Sequence, residues 1–163
     1  MADSLRVQFV HGLEGSPQGA KARLFADHFT ASTPAMDTKD FEASVAVQEK
    51  EIVSFRPDVL VGSSFGGAVA VELLNRGAWT GPTLLLAQAA VRQGKSAALP
   101  NGRRVWLVHG TNDDVVDVDE SRQLARTGTP SLVRLIEVDD DHSLHAMVAD
   151  GRLVDLVRKL AAA

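Results

Sequence analysis

Five short apolar runs constrain this chain more than any other feature: 5–10 (L-R-V-Q-F-V), 59–61 (V-L-V), 82–87 (P-T-L-L-L-A), 104–108 (R-V-W-L-V) and 132–138 (L-V-R-L-I-E-V). Each is too short for a helix core and is rich in Val, Leu and Ile. Apolar residues at successive rather than alternate positions imply strands buried on both faces, the pattern of a parallel sheet. A weaker strand is expected at 33–36. The segments between the runs carry helical spacing instead. At 21–29, Ala22, Leu24, Phe25 and Phe29 share one side; at 41–55, Val45, Ile52 and Phe55 do so. Further helices are expected at 67–74, 118–125 and 153–160, the last with Leu153, Leu156, Val157 and Leu160 on one face. Strands alternating with helices predict an α/β fold, a doubly wound, mostly parallel six-stranded sheet with helices on both faces. Six strands use up the 163 residues, so one domain is expected over 1–163.

Composition narrows the function classes. A net charge of −4 supplies no field for a polyanion. Arg92, Lys95, Arg103 and Arg104 cluster loosely, without interleaved aromatic residues, as in a solvated loop; no nucleic-acid partner is expected. No apolar run approaches the ~20 residues that span a bilayer, so no membrane partner is expected either. The N-terminus lacks a basic segment leading into a long apolar one, which argues against a secretory signal. With no cysteine, thiolate catalysis and zinc-thiolate sites are excluded, and a cytoplasmic location is expected. Residues 89–102 read as either a loop or a short helix with a turn and are the candidate wall or flap over a site.

The second apolar run leads into Gly62-Ser63-Ser64-Phe65-Gly66. G-x-S-x-G fits with Ser64 at its centre, whereas Ser63 would need glycines where Val61 and Phe65 stand. A sharp strand-to-helix turn holds such a serine in strained geometry, and flanking glycines prevent clashes. The following helix directs free backbone N–H groups toward developing negative charge. The same stretch, without chemistry, would be a Gly-rich turn.

A serine hydroxyl needs a base that is itself held in orientation. Of the five histidines, His28 falls in a helix, and His11 and His109 end strands in positions suited to supporting loops. His142 comes first after the last strand, where a loop residue reaches the C-terminal edge of the sheet. His145 falls three residues later, on the ensuing helix. The orienting acid should leave another strand at that edge, and Asp113 or Asp114, after the 104–108 run, meets this condition. Asp117 and Asp119 look instead like helix-capping acids. At the exit of the first strand, His11-Gly12-Leu13 forms a glycine-bearing turn. We assign the Leu13 and Phe65 backbone N–H groups as oxyanion donors.

With H-G at Gly12, G-x-S-x-G at Ser64, H-G-x-x-D-x-x-V from His109 and D-H-S-L at His142, the chain resembles the α/β-hydrolase superfamily. Serine, acid and histidine follow in that superfamily's order. The resemblance carries the acid to Asp113, with Asp114 one residue away, the base to His142 and the oxyanion donors to Leu13 and Phe65. H-G-L-E-G-S-P-Q-G-A-K-A and A-Q-A-A-V-R are further similar to segments of the small, cap-less bacterial esterases of the YqiA type. Glu14, Gly15 and Gly19, and Ala87-Gln88-Ala89 in place of an N-P pair, depart from that pattern.

The resemblance implies a serine hydrolase acting on ester bonds, a carboxylesterase or thioesterase for small or short-acyl substrates. Ser64, His142 and Asp113 would form its triad, with no cofactor or metal required. Amide cleavage and acyl transfer would use the same groups, and the same fold could also serve as a ligand- or partner-binding module.

Overall fold

The computed structural model describes residues 3–13, 15–93 and 97–163. Its elements run β1 (Asp3–Val10), α1 (Ala20–His28), β2 (Phe29–Ser32), α2 (Phe41–Phe55), β3 (Val59–Ser63), α3 (Phe65–Asn75), β4 (Thr83–Leu86), β5 (Val105–Gly110), α4 (Val118–Ala125), β6 (Val133–Val138), α5 (His145–Asp150) and α6 (Arg152–Ala162). All six strands lie in one sheet, ordered β2-β1-β3-β4-β5-β6, and every neighbouring pair is parallel. This is the doubly wound sheet expected from the apolar runs.

Side-chain alternation splits the core into two layers, since successive residues of a strand face opposite sides. Val7, Phe9, Val59, Val61, Leu84, Leu86, Trp106 and Val108 pack against α1 and α6. Val10, Leu60, Leu85, Val105 and Leu107 pack on the other face with residues of α2, α3 and α4. The strands β3, β4 and β5 are buried throughout, which accounts for their lack of polar alternation. The edge strand β6 is only half-buried.

The weak strand expected at 33–36 lies instead at Phe29–Ser32. There α1 passes into β2 without a turn, and Phe29 begins the strand with its ring buried beside Phe25. Pro34 has no N–H to give a ladder, so 33–36 is a poor place for pairing. The helix after the serine begins two residues earlier than expected, at Phe65. A short additional helix, α5, starts at His145.

The sheet order places the functional segments. From β1 the chain crosses to β2 on one side and then to β3 on the other. A crevice opens at such a reversal, outside the carboxyl ends of the two central strands. The Gly12 turn leaves β1 there, and Ser64 leaves β3.

Candidate functional site

Ser64 sits between β3 and α3 with φ 55° and ψ −116°. A side chain at positive φ is strained, and the turn is held by surrounding backbone bonds. Ser64 N–H donates to Leu86 O at 2.9 Å, while its carbonyl accepts from Gly67 N at 2.9 Å and Ala89 N at 3.0 Å. Two glycines make the turn sterically possible. A Cβ on Gly66 would lie 2.0 Å from Val10 O, and one on Gly62 would lie 2.5 Å from Gly66 O. Ser64 does not cap α3 with its side chain, so its hydroxyl is free to face the crevice.

His142 Nε2 lies 3.2 Å from Ser64 Oγ, and His142 Nδ1 lies 2.7 Å from Asp113 Oδ2. With Nδ1–H donating to the carboxylate, Nε2 is free to accept from the hydroxyl. The Asp113 side chain is fully buried, and its Oδ1 accepts from Val115 N at 2.9 Å and Val116 N at 2.8 Å. Burial works against its charge, but the donors from His142, Val116 and Val115 outweigh that penalty and hold the carboxyl below its ordinary range. Neighbouring Asp114 is exposed. Of the two aspartates that spacing left open, the structure places Asp113 beside the histidine.

The loop bearing His142 is anchored by Asp140, within the 139–141 acidic run whose spacing suits capping of the final segment, and by Leu144, which local pattern did not single out. The buried Asp140 carboxylate accepts from Asp141 N at 2.9 Å, Ala146 N at 3.2 Å and Met147 N at 3.1 Å. Leu144 adopts φ 53° while its side chain is wholly buried in the core, so burial compensates for backbone strain. Gly110 allows this loop to approach the one carrying Asp113, since a Cβ there would lie 2.3 Å from Asp140 O.

A buried polar chain supports Asp113 from behind. Ala90 N donates to Gln88 Oε1 at 2.8 Å, Gln88 Nε2 to Ser121 Oγ at 3.0 Å, and Ser121 to His109 Nδ1 at 2.7 Å. His109 Nε2–H donates to Val116 O at 2.8 Å and lies 3.2 Å from Asp113 Oδ2. His109 thus braces the acid loop, in line with its expected supporting position. Gln88, noted in the sequence only as a departure from a familiar pair, links the β4 exit to that loop. His11 braces the other side, donating from Nδ1 to Gly12 O at 2.8 Å and accepting from Met36 N at 3.3 Å.

Gly12 packs directly against the elbow, where a Cβ would stand 3.4 Å from Ser64 Cβ. Among the described residues, the N–H groups of Leu13 and Phe65 donate to no acceptor. Both therefore remain open near the serine.

A cavity of about 590 Å³ borders Ser64 and His142. Its walls come from the Gly12 turn, the start of α1 and the segment around α5, with Leu13 and Val115 exposed at the rim. None of the described residues of 89–102, the expected wall or flap, lines it. That segment instead buries Ala89, Ala90 and Leu99, and ties back through Asn75 Nδ2 to Ala98 O at 2.9 Å and Leu99 N to Thr127 Oγ1 at 2.8 Å. Its apolar residues match the α3 and α4 face of the sheet, which draws it away from the crevice. In the basic cluster, Arg92 pairs with Glu120 at 3.2 Å on the surface; Lys95, like Glu14, lies outside the described residues.

Among the described residues, no group of three or more His, Asp and Glu side chains is placed to hold a metal ion, and no helix is long and apolar enough to cross a membrane. No inserted domain among them stands over the crevice.

No family model matches the chain, nor does any curated protein. Solved structures do. A provisionally named hydrolase from Agrobacterium vitis S4 superposes with a TM-score of 0.81 at 16% identity, over 97% of this chain and 88% of that one. An esterase from Rhodococcus sp. ECU1013 gives 0.69 at 16% identity, over 98% and 91%. A meta-cleavage product hydrolase from Pseudomonas fluorescens IP01 gives 0.73 at 13% identity, over 98% and 91%. Identities this low speak to architecture alone, and together with the sheet order and the strained serine turn they show that this chain has the α/β-hydrolase fold, with no cap domain among the described residues.

Proposed function

We propose that the protein is a serine hydrolase that cleaves small or short-acyl esters through an acyl-serine intermediate. The observation that carries this is the continuous hydrogen-bonded line from Asp113 Oδ2 through both ring nitrogens of His142 to Ser64 Oγ. A binding module has no need of a base aligned on a strained hydroxyl, and solved proteins of this architecture named as hydrolases and esterases agree with it.

The chemistry follows from the geometry. Ser64 Oγ attacks the ester carbonyl carbon as its proton passes to His142 Nε2, and Asp113 stabilises the resulting imidazolium. The carbonyl oxygen takes the negative charge and is held by the Leu13 and Phe65 amides; losing one such donor typically costs ~10²–10³ in rate. Collapse breaks the bond to the alcohol oxygen, which leaves with the proton from His142. Water, deprotonated by His142, then attacks the acyl-serine; the acid departs and Ser64 recovers its proton. Thioesters would enter the same cycle with a thiol as leaving group.

The test is turnover of an activated short-chain ester together with fluorophosphonate labelling. Ser64→Ala should abolish both, whereas Ser63→Ala should keep most activity. Folded wild-type protein that neither turns over esters nor takes the label would overturn the proposal in favour of a binding module. An active Ser64→Ala variant would show that the nucleophile lies elsewhere.

A further inference from the structure

One wall of the cavity takes no part in the chemistry at Ser64. It is built by the start of α1 and the segment around α5, and Lys21 lies within it. Among the described residues that line the cavity, Lys21 is the only Lys or Arg and none is an Asp or Glu. The remaining surface is largely apolar, with Phe9, Ala22 and Val148 beside the lysine's wall and Leu13 and Val115 at the rim.

Lys21 is half-buried in the cavity wall and has gained no direct partner. It forms no hydrogen bond or salt bridge among the described residues. Burial pushes its pKa down, against the raising influence of Asp141 and Asp140 nearby. Those two carboxylates are otherwise engaged: Asp140 accepts from three amides and Asp141 Oδ1 accepts from His145 N at 3.2 Å. A neutral ester in the cavity would shed still more water from the ammonium and return nothing. An ester with an anionic group would supply the direct ion-pair partner that Asp140 and Asp141, near Lys21 but bonded to backbone amides, do not.

We propose that Lys21 selects esters carrying a negatively charged group, a carboxylate in the simplest case, by pairing with that group while the ester carbonyl lies at Ser64. This rests on the serine-hydrolase function proposed above and names its substrate class. Lys21 touches the substrate away from the reacting atoms, so its effect is on specificity.

Two matched probe pairs test it and locate the charge. Mono-para-nitrophenyl adipate and para-nitrophenyl hexanoate share chain length and differ by a carboxylate on the acyl half. Ortho-nitrophenyl butanoate with and without a ring carboxylate places the difference on the alcohol half. Lys21→Met keeps the apolar stem and removes the charge. It should lower kcat/KM for one of the anionic probes by about 10- to 100-fold, the worth of a hydrogen bond to a charged group, and should affect the matched neutral probe far less. Lys21→Arg should restore part of the preference. Equal changes within both pairs, or none, with Ser64 still labelled by fluorophosphonate, would overturn the role of Lys21 and leave the hydrolase intact. No turnover of any probe and no label on wild-type Ser64 would overturn both.

Discussion

Replacing Asp113 by Asn changes almost nothing in shape and should change nearly everything in proton placement. The carboxylate has two distinct sides. Oδ1 receives the Val115 and Val116 amides at 2.9 and 2.8 Å, and Oδ2 faces His142 Nδ1 at 2.7 Å and His109 Nε2 at 3.2 Å. An asparagine has one oxygen, and the two converging N–H groups hold it at the Oδ1 position, because an NH₂ there would meet two donors. The NH₂ is then left opposite His142 Nδ1, which must accept rather than donate. The ring proton moves to Nε2, and Nε2 can no longer take the proton of Ser64. In serine proteases the corresponding change costs ~10⁴ in kcat by this tautomer effect. At ~1.36 kcal/mol per tenfold, that is about 5.4 kcal/mol of barrier. Asp114→Asn, on an exposed side chain, should stay within about twofold of wild type, as surface substitutions generally do. The assay is kcat/KM on a short-chain nitrophenyl ester, with labelling rate and a urea midpoint to show that each variant is folded. A folded Asp113→Asn variant retaining more than about a tenth of the activity, or an equal loss in Asp114→Asn, would refute the reasoning.

Two further outcomes follow from the packing and the charges. Gly66→Ala would place a Cβ 2.0 Å from Val10 O and 2.6 Å from His11 O; backbone cannot swing aside, so the cost should reach or exceed the ~1–3 kcal/mol of ordinary overpacking. A lowered urea midpoint with loss of Ser64 labelling is expected, and an unchanged midpoint would contradict the close approach. For pH, Asp113 and Asp140 both have folded-state pKa values below the ordinary 3.8, because backbone amides, with His142 in the case of Asp113, outweigh burial. Their contribution to stability is therefore complete above the unfolded value and is lost as pH falls through the folded one, where the unfolded chain has already taken up its protons. Urea midpoints should hold from about pH 7 to about pH 5 and decline below about pH 4. Asp140→Asn should lower the midpoint at neutral pH and flatten the acid decline; an unchanged acid slope would remove Asp140 from the account.

Elements whose signals are local were legible in the sequence. The helix Phe41–Phe55 has its expected bounds because Asp40 caps it, accepting from Ala43 N at 2.9 Å, and Arg56 ends it in a left-handed conformation. The strands β3, β4 and β5 announced themselves by unbroken apolarity, since the sheet covers them on both faces. The edge strand β2 did not. It follows α1 with no turn residue between them, and Phe29 fits the helix's apolar spacing as well as the strand's. Only its register with β1, Thr30 beside Arg6 and Ala31 beside Val7, separates the two.

The site divides along the same line. G-S-S-F-G specifies its serine by itself, because the clearance Ser64 needs at positive φ is supplied by neighbours two residues away. What the sequence determined alone was the alternation that builds a parallel sheet, and that one strained turn. Tertiary structure set Asp113 rather than Asp114 against His142, burying the one side chain and exposing the other although they are neighbours in the same loop. It also assembled the chain from Gln88 through Ser121 to His109, packed Ala90 and Leu99 of the 89–102 segment on the α3 face of the sheet, and brought Lys21 into the cavity wall. Each of these joins residues far apart in the chain, and such contacts exist only once the strands have paired and the loops at their carboxyl ends meet.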